Sequence, residues 1–250
     1  MQKESWKVSG KANSGSTSTL VDTNLGMSIS TYTGNATAGA TFGHGIGVLP
    51  EFFFIRQLTA NGNVSGTPVY VHSLGADTNL RLDNNGTVTS LSTATTRWNR
   101  TAPTSSVISL GTSNIVNGDS LDYVCYAFAP SQFTAIGSYN GNGNANGTFV
   151  PTVNSLGIPI TPSWIMLKRT DAANSWAITD TARTPTNPTS FILQAQLANV
   201  QLDNSDIDVL QGGFKIRSTD NLHNNSSGNY IYLAFGTPII DTSGRIITGR

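Results

Sequence analysis

The chain has 250 residues, of which 11% are charged and 25 are glycine. Its 14 basic and 14 acidic residues cancel, and no basic stripe is present, which argues against nucleic-acid binding because phosphates are neutralised by clustered Lys and Arg. One cysteine, Cys125, excludes an intrachain disulfide framework. No apolar run approaches the roughly 20 residues that cross a bilayer, and the N-terminal residues lack the apolar segment of a signal peptide. We therefore expect a polar, turn-rich protein that is made in a cytosol and does not insert into membranes.

Landmarks that recur in the same order indicate an internal duplication. Residues 31–35 (TYTGN) match 138–142 (SYNGN), and residues 122–128 (DYVCYAF) match 229–235 (NYIYLAF), both at an offset of 107. Pro50 and Pro162, each just ahead of an apolar run, are offset by 112. We predict a lead-in and attachment segment at 1–30, a first module at 31–130, a second module at 138–236 and a tail at 237–250.

Each module is predicted to consist of strands. Short apolar runs rich in β-branched and aromatic residues, bounded by turn-forming residues, are typical of strands, and they occur at 52–56, 106–110, 123–128, 164–168, 213–217 and 230–235. The best helix candidate is the weakly periodic segment 191–199. About 100 residues per module with many strands and little helix predict an all-β fold with two antiparallel β-sandwich modules in tandem.

The segment 43–47 (GHGIG) raises the question of a phosphate-binding loop. Such a loop lies between a strand and a helix, so that the helix N-terminus holds the phosphate. Here the glycines precede a predicted strand and no helix comes after them, which excludes that interpretation. We expect His44 to be a turn residue that packs or hydrogen-bonds beside the strand entry.

The acidic residues and the cysteine give weak signals. Asp206 and Asp208 would share one face of an extended strand and offer oxygen ligands to Ca²⁺, but the segment lacks the Gly and Glu of an EF-hand loop, and Asp residues also initiate turns. We expect no cofactor and keep both as metal candidates only. No catalytic motif is present, so we predict that the protein is not an enzyme. Cys125 lies within an apolar run and is predicted to be a buried structural thiol.

Candidate ligand-binding residues lie in predicted loops. Trp98 and Trp176 could stack on a sugar ring, although loop aromatics also pack beneath their own loops. The Asn-rich segment 140–147, with Asn140, Asn142 and Asn144, offers amide donors and acceptors that suit sugar hydroxyls. It is equally a plain series of turns, and both interpretations stay open.

The sequence motifs resemble a repeated domain of tail-fibre-like virion proteins of bacteriophages, especially those of marine and aquatic hosts. The resemblance covers about 31–236 and rests on these stretches: 42–50 (FGHGIGVLP), 98–107 (WNRTAPTSSV), 126–130 (YAFAP), 137–143 (GSYNGNG), 162–171 (PSWIMLKRTD), 176–183 (WAITDTAR), 206–217 (DIDVLQGGFKIR) and 229–235. It implies jelly-roll or lectin-like (concanavalin-like) sandwiches at the distal end of fibres. It carries no shared catalytic residues.

The resemblance implies a virion protein, assembled in the host cytoplasm, that acts as a tail fibre or fibre-tip adhesin. Its partners would be a host surface glycan or protein, other virion proteins through the N-terminal segment, and two further copies in a homotrimer. We predict that residues 239–247 form a hairpin that packs on a neighbouring chain. The alternatives are a capsid decoration, head-fibre or connector protein without receptor binding, and, less favoured, a polysaccharide depolymerase.

Overall fold

The computed structural model describes residues 17–59, 66–91, 97–198 and 201–248, apart from the side chains of Asn204 and Ser205. The fold is nearly all β, with 46% strand and 3% helix, and its sheets are antiparallel. The fold class predicted from the sequence is thereby confirmed. The few helical residues in these ranges form single turns, and none of them makes a helix able to span a membrane.

The chain divides into two compact units, Met1–Leu82 with Thr89–Ala129, and Asp83–Val88 with Pro130–Arg250. Two features differ from the predicted division. The strand Met27–Thr33 pairs along its whole length with Asp122–Phe128, so the first sheet begins ahead of residue 31. The short segment Asp83–Val88 belongs to the second unit although its neighbours in sequence belong to the first.

The first unit is built on a seven-stranded sheet in the order β1-β2-β9-β4-β5-β6-β7, and a two-stranded ribbon of β3 and β8. The ribbon contributes Phe42, Ile108 and Leu110 to the core that the large sheet forms from its inner face. The strands are β1 (Ser18–Asp22), β2 (Met27–Thr33), β3 (Ala40–Gly43), β4 (Phe52–Gln57), β5 (Pro68–Val71), β6 (Thr78–Arg81), β7 (Thr89–Ser90), β8 (Val107–Leu110) and β9 (Asp122–Phe128). A 3-10 turn, His72–Leu74, and α1 (Asn114–Asn117) complete the unit.

The second unit is an eight-stranded sheet in the order β10-β17-β12-β13-β14-β15-β16-β11. Side chains from all eight strands share one core, so the sheet folds over on itself. The strands are β10 (Thr134–Asn140), β11 (Phe149–Pro151), β12 (Ile160–Arg169), β13 (Trp176–Asp180), β14 (Thr189–Gln194), β15 (Leu202–Leu210), β16 (Gly213–Ile216) and β17 (Asn229–Pro238).

The sequence repeat is also a repeat of strand pairing. Tyr32 of β2 lies opposite Tyr123 of β9, and at an offset of 107 Tyr139 of β10 lies opposite Tyr230 of β17. Both pairs stack, with ring centroids 5.2 Å and 4.9 Å apart. In each unit the stacked tyrosines belong to the buried core. They favour the same register between the two paired strands in both units.

The offset of 112 between Pro50 and Pro162 is also reproduced in the strand pairing. Phe52 of β4 lies opposite Phe128 of β9, and Trp164 of β12 lies opposite Phe235 of β17. The prediction that residues 52–56 and 164–168 form strands is therefore confirmed, and the two strands have matching partners. A hairpin bridged between Val153 and Pro159 accommodates the extra residues ahead of β12.

A buried asparagine closes one end of the first unit. The Asn117 side chain donates to the carbonyl oxygens of Thr37 at 3.0 Å and Gly111 at 2.8 Å, and accepts a bond from the Asn35 N–H at 3.0 Å. It is fully buried, so the amide takes the place of water for three peptide groups that belong to no strand ladder.

The second unit repeats this arrangement at the offset of 107. The Asn224 side chain donates to the carbonyl oxygens of Asn144 and Ser218, both at 2.8 Å, and accepts from the Asn142 N–H at 2.8 Å. It is also fully buried. We call each of these side chains, Asn117 and Asn224, an asparagine clamp.

The clamps require a close approach of backbone to backbone. A Cβ atom on Gly34 would lie 2.3 Å from the carbonyl oxygen of Gly118, and one on Gly141 would lie 2.2 Å from that of Asn225. Both distances are far below a van der Waals contact. Glycine is therefore required at both positions for lack of space.

The predicted helix at 191–199 is wrong. Thr189–Gln194 is strand β14, which pairs with β13 on one side and β15 on the other. The Phe191-Ile192 pair favours a strand, and pairing on both sides outweighs a weak helical periodicity, because local propensity is a weak prior.

The predicted C-terminal hairpin is confirmed. Beyond β17, Ile240 and Ile246 form an antiparallel bridge, and the Asp241 N–H donates to the Arg245 carbonyl oxygen at 2.8 Å. The side chains of Ile240 and Ile247 are 57% and 43% exposed. Whether another chain covers them stays a prediction.

The clamps give a direct test of what holds the loop ends together. Asn117→Ala and Asn224→Ala each leave three backbone groups, most of them part-buried, without their side-chain partner. We therefore expect each to lower the free energy of unfolding in urea by about 2–4 kcal/mol. The control is Asn114→Ala, an exposed residue of α1, which should cost less than about 0.5 kcal/mol. A cost equal to that of the control would contradict the clamp.

Candidate functional site

The loop after β10 is a chain of asparagine turns. The Asn144 N–H donates to Asn142 Oδ1 at 3.0 Å, and the Asn146 N–H donates to Asn144 Oδ1 at 2.8 Å. All three asparagine side chains are exposed. Asn142 and Asn144 thus each fix the peptide two residues further along the chain, as Asn does in turns, and their Nδ2 groups stay at the surface.

Backbone bonds hold the same loop at every glycine. The N–H groups of Gly141, Gly143 and Gly147 donate to the carbonyl oxygens of Gly228, Asn224 and Ile216 at 2.8, 3.0 and 3.0 Å respectively. Together with the Asn224 clamp these bonds leave the loop little freedom. A rigid surface loop is the element on which binding sites are usually built.

Further polar side chains surround this loop. The Asn140 amide donates to Asn229 Oδ1 at 2.6 Å, and the Asn229 carbonyl oxygen accepts from the Thr170 N–H at 2.8 Å. The ends of β10 and β12 and the start of β17 therefore meet here. We call the exposed asparagines of this end of the second unit the amide surface; they are Asn140, Asn142, Asn144, Asn146, Asn221 and Asn229.

An ion pair lies beside the amide surface. Arg169 holds Asp171 through two bonds, at 2.9 and 3.1 Å, and the hydrogen bond from the Arg169 guanidinium lowers the pKa of the Asp171 carboxyl. Arg169 also donates to Asn225 Oδ1 at 3.1 Å. This side of the surface thus offers hydrogen bonds without a net charge.

The five predicted ligand-binding residues separate into two groups. Asn140, Asn142 and Asn144 lie together in the exposed amide surface, and their role in binding stays a prediction. Trp98 and Trp176 are each only 1% exposed. The prediction that these two rings are available to stack on a sugar is wrong.

Both tryptophans are core residues. The Trp98 ring packs edge-on against Phe53 and Tyr70, with centroids 4.9 Å and 6.2 Å away. Trp176 begins β13, where its position opposite Lys168 places it inside the second sheet. The polar residues around each tryptophan in sequence conceal this burial, because the covering side chains come from distant strands.

His44 is a structural turn residue, as predicted. Its Nδ1 accepts the Ile46 N–H at 3.3 Å, and its Nε2 lies 3.0 Å from the Thr104 carbonyl oxygen. The carbonyl only accepts, so the proton resides on Nε2. Burial lowers the pKa of His44 and favours this neutral form. The loop comes after β3 and leads into strand β4. A strand and not a helix follows the glycines, as predicted, and this is not the context of a phosphate-binding loop.

Asp206 and Asp208 are both buried in β15, each beside a different protein group. The Asp208 carboxylate pairs with Arg217 at 2.5 Å, and Asp206 Oδ2 lies 3.3 Å from His223 Nδ1. Within the described ranges no group of three or more His, Cys, Asp or Glu side chains could hold a metal ion.

The pair of His223 with Asp206 was not anticipated from the sequence. His223 is fully buried, and neither of its ring nitrogens has an aligned hydrogen-bond partner. Its contact with Asp206 is close in distance but poorly directed. The sequence repeat contains one signal for this burial. At the offset of 107 the residue that matches His223 is Val116, an apolar residue, so the position is one that the first unit fills with a core side chain.

Lys168 is a second polar residue that the sequence analysis missed. Its side chain is fully buried, and Nζ donates to the carbonyl oxygens of Asn174 at 2.7 Å and Asn85 at 3.3 Å. Burial lowers the pKa of Lys168 to about 8. The lysine fastens the segment Asp83–Val88 to the turn between β12 and β13 within the second unit.

Cys125 has the structural role predicted for it. It lies in β9 and is 1% exposed. Burial raises the pKa of its thiol far above the ordinary value. A thiol that stays protonated and inaccessible is a poor nucleophile.

Fold and site together define an all-β protein with antiparallel sheets, internally repeated, that presents an amide-rich surface at one end of its second unit. The chain belongs to the family described as a domain of unknown function (DUF7483), whose profile matches residues 3–238. The match runs through both units. No curated protein and no solved structure matches the chain.

The buried lysine predicts a pH dependence of stability. The unfolded chain keeps the Lys168 proton up to about 10.5, whereas the folded chain releases it near 8. The contribution of Lys168 to the free energy of unfolding is therefore constant below pH 8 and increases between pH 8 and 10.5, by about 3 kcal/mol at most.

The increase is isolated by comparison with Lys168→Met. Urea unfolding of both proteins at pH 7 and pH 10 should give a difference, wild type minus variant, that is larger at pH 10. Other titrating groups are common to both proteins and cancel. A difference that is the same at both pH values would show that Lys168 does not titrate in this window.

Proposed function

We propose that the chain is a non-enzymatic structural protein of a bacteriophage particle, a tail fibre or fibre-tip adhesin, that binds a glycan on the host surface through its amide surface. The observation that carries the proposal is the rigid, exposed loop of Asn142, Asn144 and Asn146. It is held by the Asn224 clamp and by its own turns.

Preorganisation supports a role of this loop in binding. A flexible loop must be ordered on association, which costs about 0.5–1.5 kcal/mol for each immobilised side chain. The clamp and the glycine bonds already meet that requirement in the free protein. The asparagine side chains of this loop face solvent and do not pack in the core. They are therefore available to a ligand.

The chemistry of the surface supports a glycan as ligand. Amides exchange directed hydrogen bonds with the polar groups of sugars, and the charge of Asp171 beside them is balanced by Arg169. The whole chain is also neutral, with 14 basic and 14 acidic residues. Recognition would therefore depend on hydrogen bonds and shape, and little on electrostatic steering.

The assignment to a phage particle rests on the sequence motifs. Several of the stretches that resemble tail-fibre-like proteins lie in framework strands, such as β12 and β17. Attachment to other virion proteins is proposed for the N-terminal segment, of which residues 1–16 lie outside the described residues.

Adsorption competition tests the receptor-binding role. Purified full-length protein is incubated with host cells, phage is added, and unadsorbed phage is counted. We expect a dose-dependent fall in adsorption. The double variant Asn144→Arg with Asn221→Arg places two long charged side chains on the amide surface and should lose this inhibition.

A matched control lies in the first unit. Thr37 and Asn114 occupy the positions that correspond to Asn144 and Asn221 at the offset of 107, and both are exposed. Thr37→Arg with Asn114→Arg adds the same charge and should inhibit like the wild type. Folded wild-type protein that leaves adsorption unchanged would overturn the proposal and favour a capsid decoration or connector role.

We also propose that the protein is a homotrimer in which the C-terminal hairpin packs on a neighbouring copy. The exposed side chains of Ile240 and Ile247 support this. Deleting residues 239–250 leaves β17 intact, since that strand ends at Pro238. We expect the truncated protein to lose the trimer mass in native mass spectrometry. A truncated protein that is still a trimer would refute a role of the hairpin in assembly.

A further inference from the structure

The orientation of the loop amides is fixed by backbone groups. A backbone N–H can only donate, so the atom it contacts in Asn142 and in Asn144 must be the carbonyl oxygen Oδ1. Asn142 Oδ1 also lies 3.0 Å from Asn224 Nδ2, whose two hydrogens serve the carbonyl oxygens of Asn144 and Ser218. The Nδ2 groups of Asn142 and Asn144 are therefore the atoms left to meet a ligand.

The orientation of a third exposed amide, that of Asn221, depends on Arg169 through Asn225. Arg169 can only donate, so its partner in Asn225 is Oδ1. The Asn225 Nδ2 group then points to Asn221 and donates to its Oδ1 at 2.6 Å. This leaves the Nδ2 group of Asn221 on the exposed side, in the same sense as those of Asn142 and Asn144.

The amide surface is thus less symmetric than its composition implies. Three exposed asparagines present donors, and their carbonyl oxygens serve the protein. Resting on the proposed function, we propose that this surface selects glycans that carry carbonyl-type oxygens, either a carboxylate or an acetamido group, over glycans that carry hydroxyls alone.

The preference results from hydrogen-bond complementarity. A carboxylate only accepts, and its bonds with N–H donors are charge-assisted and stronger than those between neutral groups. An acetamido carbonyl is the acceptor that pairs with N–H donors throughout proteins. A hydroxyl that accepts from Nδ2 must still find an acceptor for its own proton, and the Asn142 and Asn144 oxygens already accept backbone N–H groups.

Three defined probes distinguish the two sources of such oxygens. Binding of the full-length protein is measured by titration calorimetry with oligogalacturonate, with chitin oligosaccharides and with dextran fragments of similar length. We expect at least one of the first two to bind about ten-fold or more tightly than dextran, a difference that one or two net hydrogen bonds can supply.

Isosteric variants test the donors themselves. Asn142→Asp with Asn144→Asp keeps the oxygen that accepts each backbone N–H and replaces only the outward donor by an acceptor. We expect this variant to lose the preference over dextran while its thermal unfolding changes little. Asn144→Ala, which removes the donor without adding charge, should weaken binding of the preferred glycan as well.

The matched control is Asn35→Asp in the first unit. Asn35 forms the corresponding turn, with its Oδ1 accepting the Thr37 N–H at 3.0 Å, and the substitution should leave glycan binding unchanged. Loss of binding in this control to the same degree as in the double variant would overturn the assignment of the ligand to the amide surface.

The outcomes separate this inference from the proposed function. If the protein inhibits phage adsorption but binds all three probes equally, or if Asn142→Asp with Asn144→Asp binds as before, the donor preference is wrong and receptor binding stands. If Asn144→Ala binds normally while the aspartate variant fails, charge repulsion explains the loss and the donor argument falls. If the wild type binds neither cells nor any probe, both fall.

Discussion

A buried amide at the end of each unit is the constraint on which the rest of the structure depends. Strands satisfy their peptide groups by pairing, but the turns that leave a sheet do not, and a buried turn excludes water. Asn117 and Asn224 supply a donor pair and an acceptor from one short side chain. The turns can therefore lie against each other, the glycines beside them become obligatory, and the stacked tyrosines of the adjacent strands are enclosed.

The two units use this framework for different surfaces. The first clamp holds a loop with Asn35 and Thr37, and the second holds the asparagine series from Asn142 onward. The second unit also buries Lys168, whose counterpart at the offset of 112 is the exposed Arg56. The strand pairing and the clamps are repeated, because packing and hydrogen bonding restrict change there. The exposed loops differ, and so do a few buried positions such as Lys168 and His223. Such a division is expected of a scaffold that presents loops for recognition.

Much of the fold was accessible from the sequence. The apolar runs that became β4, β9, β12 and β17 carry their own signal, because a central strand is apolar on both faces and is flanked by turn residues. The turn role of His44 could be predicted because the residues after it read as a strand and not as a helix. Trp98, Trp176 and the segment of β14 were misjudged, since their polar sequence neighbours say nothing about the distant strands that cover them or pair with them.

The sequence by itself determined the class of fold, the duplication, the central strands and the presence of an asparagine-rich loop, because each is a pattern of neighbouring residues with a direct physical meaning. Only the tertiary structure decided which side of the Asn221 amide faces the solvent, and which residues gather beside it. Its orientation depends on Arg169, which holds Asn225 from 56 residues away, and on the bond from Asn225 to Asn221. The direction of these hydrogen bonds depends on which groups the fold brings together, and it determines which atoms the amide surface offers to a ligand.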